Sequence, residues 1–290
     1  MEKKVQTQNL FNAKQTTLKD YNNKLPSGRC DNFNLQTQHM KCNLVLGLFA
    51  SILFIQTHAQ RAAPDAIKVK KGTLIVQPIT HATLVLRYND KNIFVDPTGG
   101  AKAFEGIAAP DMIVITDIHG DHFDLKTIEA INTRQALFIV PKAVADKMPA
   151  SINKEKIVVL NNGDKTKQDG ISIKAIPMYN LPDTPNVRHP KGRGNGYVLN
   201  IGRKNIYISG DTEDIAEMRA LRKIEVAFVC MNLPYTMDVN QASQGVLAFK
   251  PKIVYPYHHR GQDINTFKSL VNAGNPNIDV RLKNWYPTAK

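Results

Sequence analysis

Two carboxylates and two imidazoles fall within six residues, at Asp117-Ile118-His119-Gly120-Asp121-His122, with Thr116 before them and Phe123-Asp124 after. Each is a donor that a divalent cation accepts, and each is costly to bury unpartnered, so the cluster points to a metal site. The apolar run that precedes it, from Met112, reads as a buried strand, which places the donors on the loop at its end. Gly120 is expected to let that loop turn tightly around an ion. A bound metal, or a pair roughly 3.5–4 Å apart, lowers the pKa of a shared water toward about 7, polarises a carbonyl or phosphoryl group and neutralises the charge that develops. Hydrolysis is the chemistry such a site performs.

The cluster resembles the signature of the metallo-β-lactamase superfamily, H-x-H-x-D-H after a strand, and further landmarks of that family occur in its order. Asp96 in Phe94-Val95-Asp96-Pro97 matches the early aspartate that supports the metal loop from behind. His189 matches a third histidine, Asp211 in Ser209-Gly210-Asp211-Thr212 the bridging aspartate, and His258 in Tyr255-Pro256-Tyr257-His258 the last histidine. The resemblance spans roughly residues 72 to 290. Thr80-His81-Ala82, Asp96-Pro97 and His189-Pro190-Lys191-Gly192 followed by Gly196-Tyr197 look like the branch that contains L-ascorbate-6-phosphate lactonase-like proteins, which is chemically mixed.

Carried over position by position, the resemblance implies a first site of Asp117, His119 and His189 and a second of Asp121, His122 and His258, with Asp211 between them. Asp121 is then placed both to ligate and to orient the nucleophile, as the catalytic residue. One departure stands out, because the signature's first histidine is Asp117 here. A carboxylate is a harder ligand than an imidazole, so the first site is opened to Mn2+ or Fe2+, or to standing empty. Zn2+, one or two ions, is the expected cofactor, since four histidines with carboxylates suit it.

Other residues carry two readings each. His81 is expected near the site, either supporting it or purely structural. Lys191, Arg193 and Arg260 flank expected ligands and would hold an anionic substrate, or else are solvated loop charges. His259 is expected to point away. Tyr179, Asn180 and the run Asn232-Leu233-Pro234-Tyr235-Thr236-Met237 read as pocket-edge segments or as ordinary turns.

The elements that must position these residues are legible as short runs. Thr73 to Ile79, Ala82 to Tyr88 and Asn92 to Val95 read as an antiparallel meander. Apolar strands then alternate with helices: Met112 to Thr116, helix Leu125 to Ile131, Ala136 to Val140, helix Lys142 to Met148, Ile157 to Leu160. The scheme repeats with strands Ile171 to Ile176, Gly196 to Ile201 and Asn205 to Ile208, helix Asp214 to Leu221, strand Val226 to Cys230, helix Gln241 to Phe249, strand Ile253 to Tyr255, helix Ile264 to Val271 and the run Ile278 to Leu282. Two β-rich halves, each covered by helices, imply an α/β fold, a four-layer αββα metallo-β-lactamase sandwich with ligands on loops at one edge of the sheets.

Residues 1–39 are polar and aperiodic, a disordered or mis-assigned extension. Met40-Lys41, the apolar run Leu44 to Ile55 and Thr57-His58-Ala59 have the layout of a secretory signal peptide, with cleavage expected after Ala59; an uncleaved amino-terminal anchor is the alternative. Residues 60–290 then form one hydrolase domain, periplasmic or extracellular, with no transmembrane segment after cleavage. The three cysteines, Cys30, Cys42 and Cys230, have no paired spacing and support neither a disulfide framework nor a thiolate metal site.

The net charge of +13 stays strongly basic without the leader, because only seven basic and three acidic residues precede residue 60. Such a surface attracts anions, yet the basic residues are scattered without interleaved aromatics, which disfavours nucleic acid and leaves a small, anionic substrate as the better partner. The function expected is an exported metal-dependent hydrolase that uses metal-bound hydroxide on a small ester, lactone, amide or phosphodiester. A non-catalytic metal- or ligand-binding protein that retains the fold, and a true β-lactamase, are the alternatives. The sequence leaves the oligomeric state open.

Overall fold

The structure, a computed structural model, describes residues 61–287. The expected leader and its cleavage point lie outside the described residues. Strand β1 (Asp65–Val69) opens a first sheet and pairs antiparallel with β2 (Gly72–Thr80), which continues through β3 (Thr83–Tyr88) and β4 (Lys91–Val95) as an antiparallel meander. Parallel strands β5 (Met112–Val114), β6 (Leu137–Val140) and β7 (Ile157–Val159) complete its seven. The second sheet repeats this plan: β8 (Lys165–Gln168), β9 (Ile171–Met178), β10 (Gly194–Ile201) and β11 (Lys204–Ile208) are antiparallel, and β12 (Ile224–Cys230), β13 (Ile253–Tyr257) and β14 (Asp279–Val280) follow in parallel.

Period-two patterning makes both sheets two-sided. Leu84, Leu86, Ile93, Val95 and Val114 share one core with Ile173, Ala175, Tyr197 and Leu199 of the second sheet. The intervening Val85, Phe94 and Ile113 face the other way, onto a separate core with Ile128 of helix α1 (Leu125–Ala130) and Val144 of α2 (Lys142–Ala145). On the second sheet the cover comes from α3 (Ala216–Arg219), α4 (Val239–Phe249) and α5 (Ile264–Gly274), through Met218, Val246, Phe249, Phe267 and Val271. Helices thus cover both outer faces of two facing sheets, the four-layer sandwich expected. Among the described residues no helix is long and apolar enough to cross a membrane.

Two expected helices are shorter than their apolar pattern suggested, since Lys142 to Met148 and Asp214 to Leu221 form only four-residue α-helices. The chain direction matters most for function. Strands β2, β4, β5, β9, β11 and β13 all point the same way within their sheets, so the segments after their C-terminal ends collect at one edge.

Candidate metal centre

Every expected donor, and the supporting residues His81 and Asp96, follow one of those strand ends. His81 lies in the turn after β2, Asp96 directly after β4, Asp117 to His122 after β5, His189 between β9 and β10, Asp211 after β11 and His258 directly after β13. Four of the site's residues hold left-handed backbone despite carrying side chains: His81 at φ 52°, Asp96 at 44°, His258 at 49° and Arg260 at 41°. Such strain concentrates where surrounding structure over-determines a conformation, as at functional sites. Gly120, by contrast, has no left-handed φ, and a Cβ there would meet nothing within 4 Å, so the tight turn expected of it is not what shapes the loop. Asp124 caps α1, accepting from Lys126 and Thr127 backbone N–H groups, and is a structural carboxylate.

The donors fall into two adjoining groups. Asp117, His119 and His189 offer ligand atoms within 4.8 Å of one another, and so do His122, Asp211 and His258. Asp211 joins them: its Oδ2 is 3.3 Å from His122 Nε2 and 3.2 Å from His189 Nε2, and its Oδ1 is 3.4 Å from His258 Nε2. Asp121 Oδ2 lies 3.5 Å from His258 Nε2 and 3.2 Å from His81 Nε2. His81, Asp121 and His258 therefore form a third donor cluster.

Outer partners fix which nitrogen of each histidine faces inward. Buried Asp96 accepts from the Thr116 backbone N–H at 2.7 Å, the Thr116 hydroxyl at 2.7 Å and His122 Nδ1–H at 2.9 Å, leaving His122 Nε2 toward the centre. Asn180 Oδ1 accepts from His189 Nδ1–H at 3.0 Å and from the His189 backbone N–H at 2.9 Å, which does the same for His189. The Tyr286 hydroxyl, 2.8 Å from His81 Nδ1, holds that ring and also accepts from Arg260 N–H at 2.7 Å. His259 packs edge-on to Tyr286 and joins none of the donor groups.

The donors fit a divalent metal. His189 Nε2 and Asp211 Oδ1 are buried at the centre without a hydrogen-bond partner, a cost that a coordinated cation would remove. The charge balance agrees, because Asp96, Asp117, Asp121 and Asp211 converge and, among the described residues, the one Lys or Arg that forms a salt bridge with any of them is Arg193, on Asp117. Burial would raise the Asp211 carboxyl, but His258 and His122 hold it well below the ordinary range. Burial likewise opposes ionisation of Asp117, and the hydrogen bond from His119 with the charges of His122 and Arg193 overcome it, lowering Asp117 to about 2. Asp121 is lowered too, against its burial, by His258 and His81. Burial would push His122 down, yet the Asp211 and Asp96 carboxylates raise it well above its ordinary value. The centre is built to be electronegative and to receive positive charge.

A polar cleft of about 280 Å³ opens over these donors, lined by Asp121, Arg188, Asp211, Asn232, Tyr235 and Arg260. Arg188 lies over the Tyr235 ring, 4.8 Å from its centroid. Neither Arg188 nor Arg260 pairs with a carboxylate among the described residues. Lys191 is not part of this lining: its ammonium is 2.8 Å from Glu217 and stacks on Tyr179. Arg193 is engaged with Asp117. Arg188 and Tyr286 went unread in the sequence. Arg188 stood beside His189 and could have been found by adjacency, whereas Tyr286 reaches His81 across 205 positions and has no local signal.

A family profile described as the β-lactamase superfamily domain matches residues 76–258, and the chain belongs to that superfamily. The UPF0173 metal-dependent hydrolase of Staphylococcus saprophyticus is 30% identical over 213 residues, 68% of this chain and 93% of that protein. The crystal structure of a metal-dependent hydrolase from Parabacteroides distasonis shares 36% identity with a TM-score of 0.70, covering 78% of this chain and all of that one. A metallo-hydrolase from Ignicoccus hospitalis, 22% identical with a TM-score of 0.61 over 72% of this chain and 94% of its own, shows the shared fold alone. Within the superfamily this chain is a metal-dependent hydrolase of the metallo-β-lactamase fold.

Proposed function

We propose that the protein is an exported hydrolase that holds two zinc ions and cleaves an ester, lactone, amide or phosphodiester bond in a small anionic substrate. The observation that carries this reading is the pair of adjoining donor groups joined by Asp211 beneath an arginine-lined cleft. Asp117, His119 and His189 would hold one ion and Asp121, His122 and His258 the other, with Asp211 between them. When bound, such metals activate water near neutral pH and act as a Lewis acid on the scissile group. Asp121, which reaches the cleft, would accept a hydrogen bond from the attacking water and so orient it. Arg188 and Arg260 would bind the substrate's anionic group, and Asn232 would bind a neighbouring polar one.

Elemental analysis of purified protein tests the site. About two equivalents of zinc are expected after reconstitution, and about one after His122→Ala; unchanged metal content in that variant would remove the second site. Turnover of carboxylated and phosphorylated esters should disappear with chelator and return with zinc. Arg188→Ala and Arg260→Ala should raise KM for those esters about tenfold, the scale of one lost charge-assisted contact of roughly 1.5 kcal/mol, with little effect on matched neutral esters. Export is supported by the layout of residues 40–59, and the amino terminus of protein recovered from intact cells tests it: a start at Gln60 is expected, and retention of residues 1–39 in the cytoplasmic fraction would refute it.

A further inference from the structure

The superfamily signature has a histidine where this chain has Asp117, and that carboxylate is fully buried. Its environment is specific. The Arg193 guanidinium reaches Oδ1 through Nε at 3.3 Å and Nη2 at 3.2 Å, and Nη2 is also 3.2 Å from Oδ2. His119 Nδ1 lies 2.6 Å from Oδ2. The guanidinium thus touches both oxygens, Oδ1 through two nitrogens and Oδ2 through one, while Oδ2 is the oxygen that also meets His119, a donor of the first site.

We infer that Arg193 is a positioning residue that lets Asp117 serve in place of the histidine, the two side chains acting together as one electrically neutral, single-oxygen metal ligand. This rests on the proposed two-metal reading. An imidazole ligand is neutral, whereas a bare carboxylate adds a full negative charge to a centre that already contains Asp121 and Asp211. The guanidinium restores the balance, and its planar fork fixes the plane of the carboxylate.

The fold delivers Arg193 to this position by a close backbone approach. A Cβ on Gly194 would lie 2.8 Å from the Thr116 carbonyl and 3.1 Å from Asp117 Oδ1, so only glycine lets the start of β10 come against the metal loop. The Asn195 N–H donates to the Thr116 carbonyl at 2.9 Å and pins the contact. The same turn, residues 189–193, carries His189, another donor of the first site. One short segment thus supplies both a ligand and the countercharge of its neighbour.

The test is a cycle between positions 117 and 193, read as metal stoichiometry and affinity by zinc titration against a chromophoric chelator, with circular dichroism as the check of folding. In the native Asp117 background, R193A and R193Q should weaken the second equivalent of zinc about tenfold or more, the lower end expected for a lost outer partner. In the D117H background the sign should reverse, with D117H/R193A binding that equivalent more tightly than D117H, because an imidazole needs no countercharge and the free guanidinium repels the ion. An unchanged second equivalent in both R193A and R193Q, a gain of an equivalent on removing Arg193, or the same sign in both backgrounds would each overturn the inference. If only R193A fails to fold, R193Q supplies the first comparison. Native protein that binds no zinc would instead overturn the two-metal reading itself.

Discussion

Asp96 takes no place among the clustered donors, yet it decides what His122 presents to them. With its oxygens accepting from Thr116 N–H, Thr116 hydroxyl and His122 Nδ1–H, it keeps the imidazole proton away from the metal side. Asp96→Asn would place an amide N–H against one of these donors and favour the other tautomer, with the proton on Nε2. Zinc affinity at the second site should fall by roughly 10–100-fold, as for other outer partners of ligating histidines, with the folded far-UV spectrum retained. Chelator competition measures it, and native affinity in the variant would show that Asp96 does not set the tautomer. At this scale the sequence was informative where donors sit close together or in a familiar motif, as from Asp117 to His122. It was silent on partners brought in by the fold, since neither Arg193 on Asp117, 76 positions away, nor Tyr286 on His81 leaves a local pattern.

Most strands were legible because a run of apolar residues declares them. The two strands that went unread, β1 and β8, each lie at one edge of a sheet, and β1 has only Ile67 and Val69 buried. Strand β8, Lys165-Thr166-Lys167-Gln168, has no apolar residue at all and exists because its backbone pairs with β9. A charged edge strand such as β8 resists pairing with other chains, which explains both its composition and its invisibility to hydrophobic patterning. The other edge strand leads into a contact that ties the two halves together. The turn after β1 donates Lys70 N–H to the Gly202 carbonyl at 2.9 Å, and Gly202, at φ 55°, would put a Cβ 2.5 Å from a Val69 methyl. Gly202→Ala meets both a left-handed backbone and a filled space, so it should destabilise the protein by about 1–3 kcal/mol. The urea midpoint reads this; a midpoint equal to that of the native protein would mean that the two hairpin turns are not rigidly packed.

On the scale of the whole molecule, the first sheet contributes Asp117, His119, Asp121 and His122 and the second His189, Asp211 and His258, so bound metal ties the two halves of the sandwich at one edge. The complete donor set exists only in the folded chain, and metal binding is therefore linked to stability. At metal concentrations 100 times Kd each site adds about 2.7 kcal/mol. For a domain of this size, that is roughly 5–10 °C in Tm per site. Acid should destabilise the protein in two stages. Protons compete with the metal for the imidazoles, above all at His122, which, against its burial, the Asp211 and Asp96 carboxylates raise well above its ordinary value, so the Tm difference between metal-loaded and chelated protein should narrow as pH falls. The Asp117 contribution in the metal-free protein behaves differently: lowered from its ordinary 3.8 to about 2, it is complete above about pH 4 and is lost only between there and pH 2. Thermal unfolding with and without chelator from pH 7 to 3 separates the two stages. A difference that persisted undiminished to pH 4 would mean that carboxylates alone carry the metal, and the four histidines would then need another explanation.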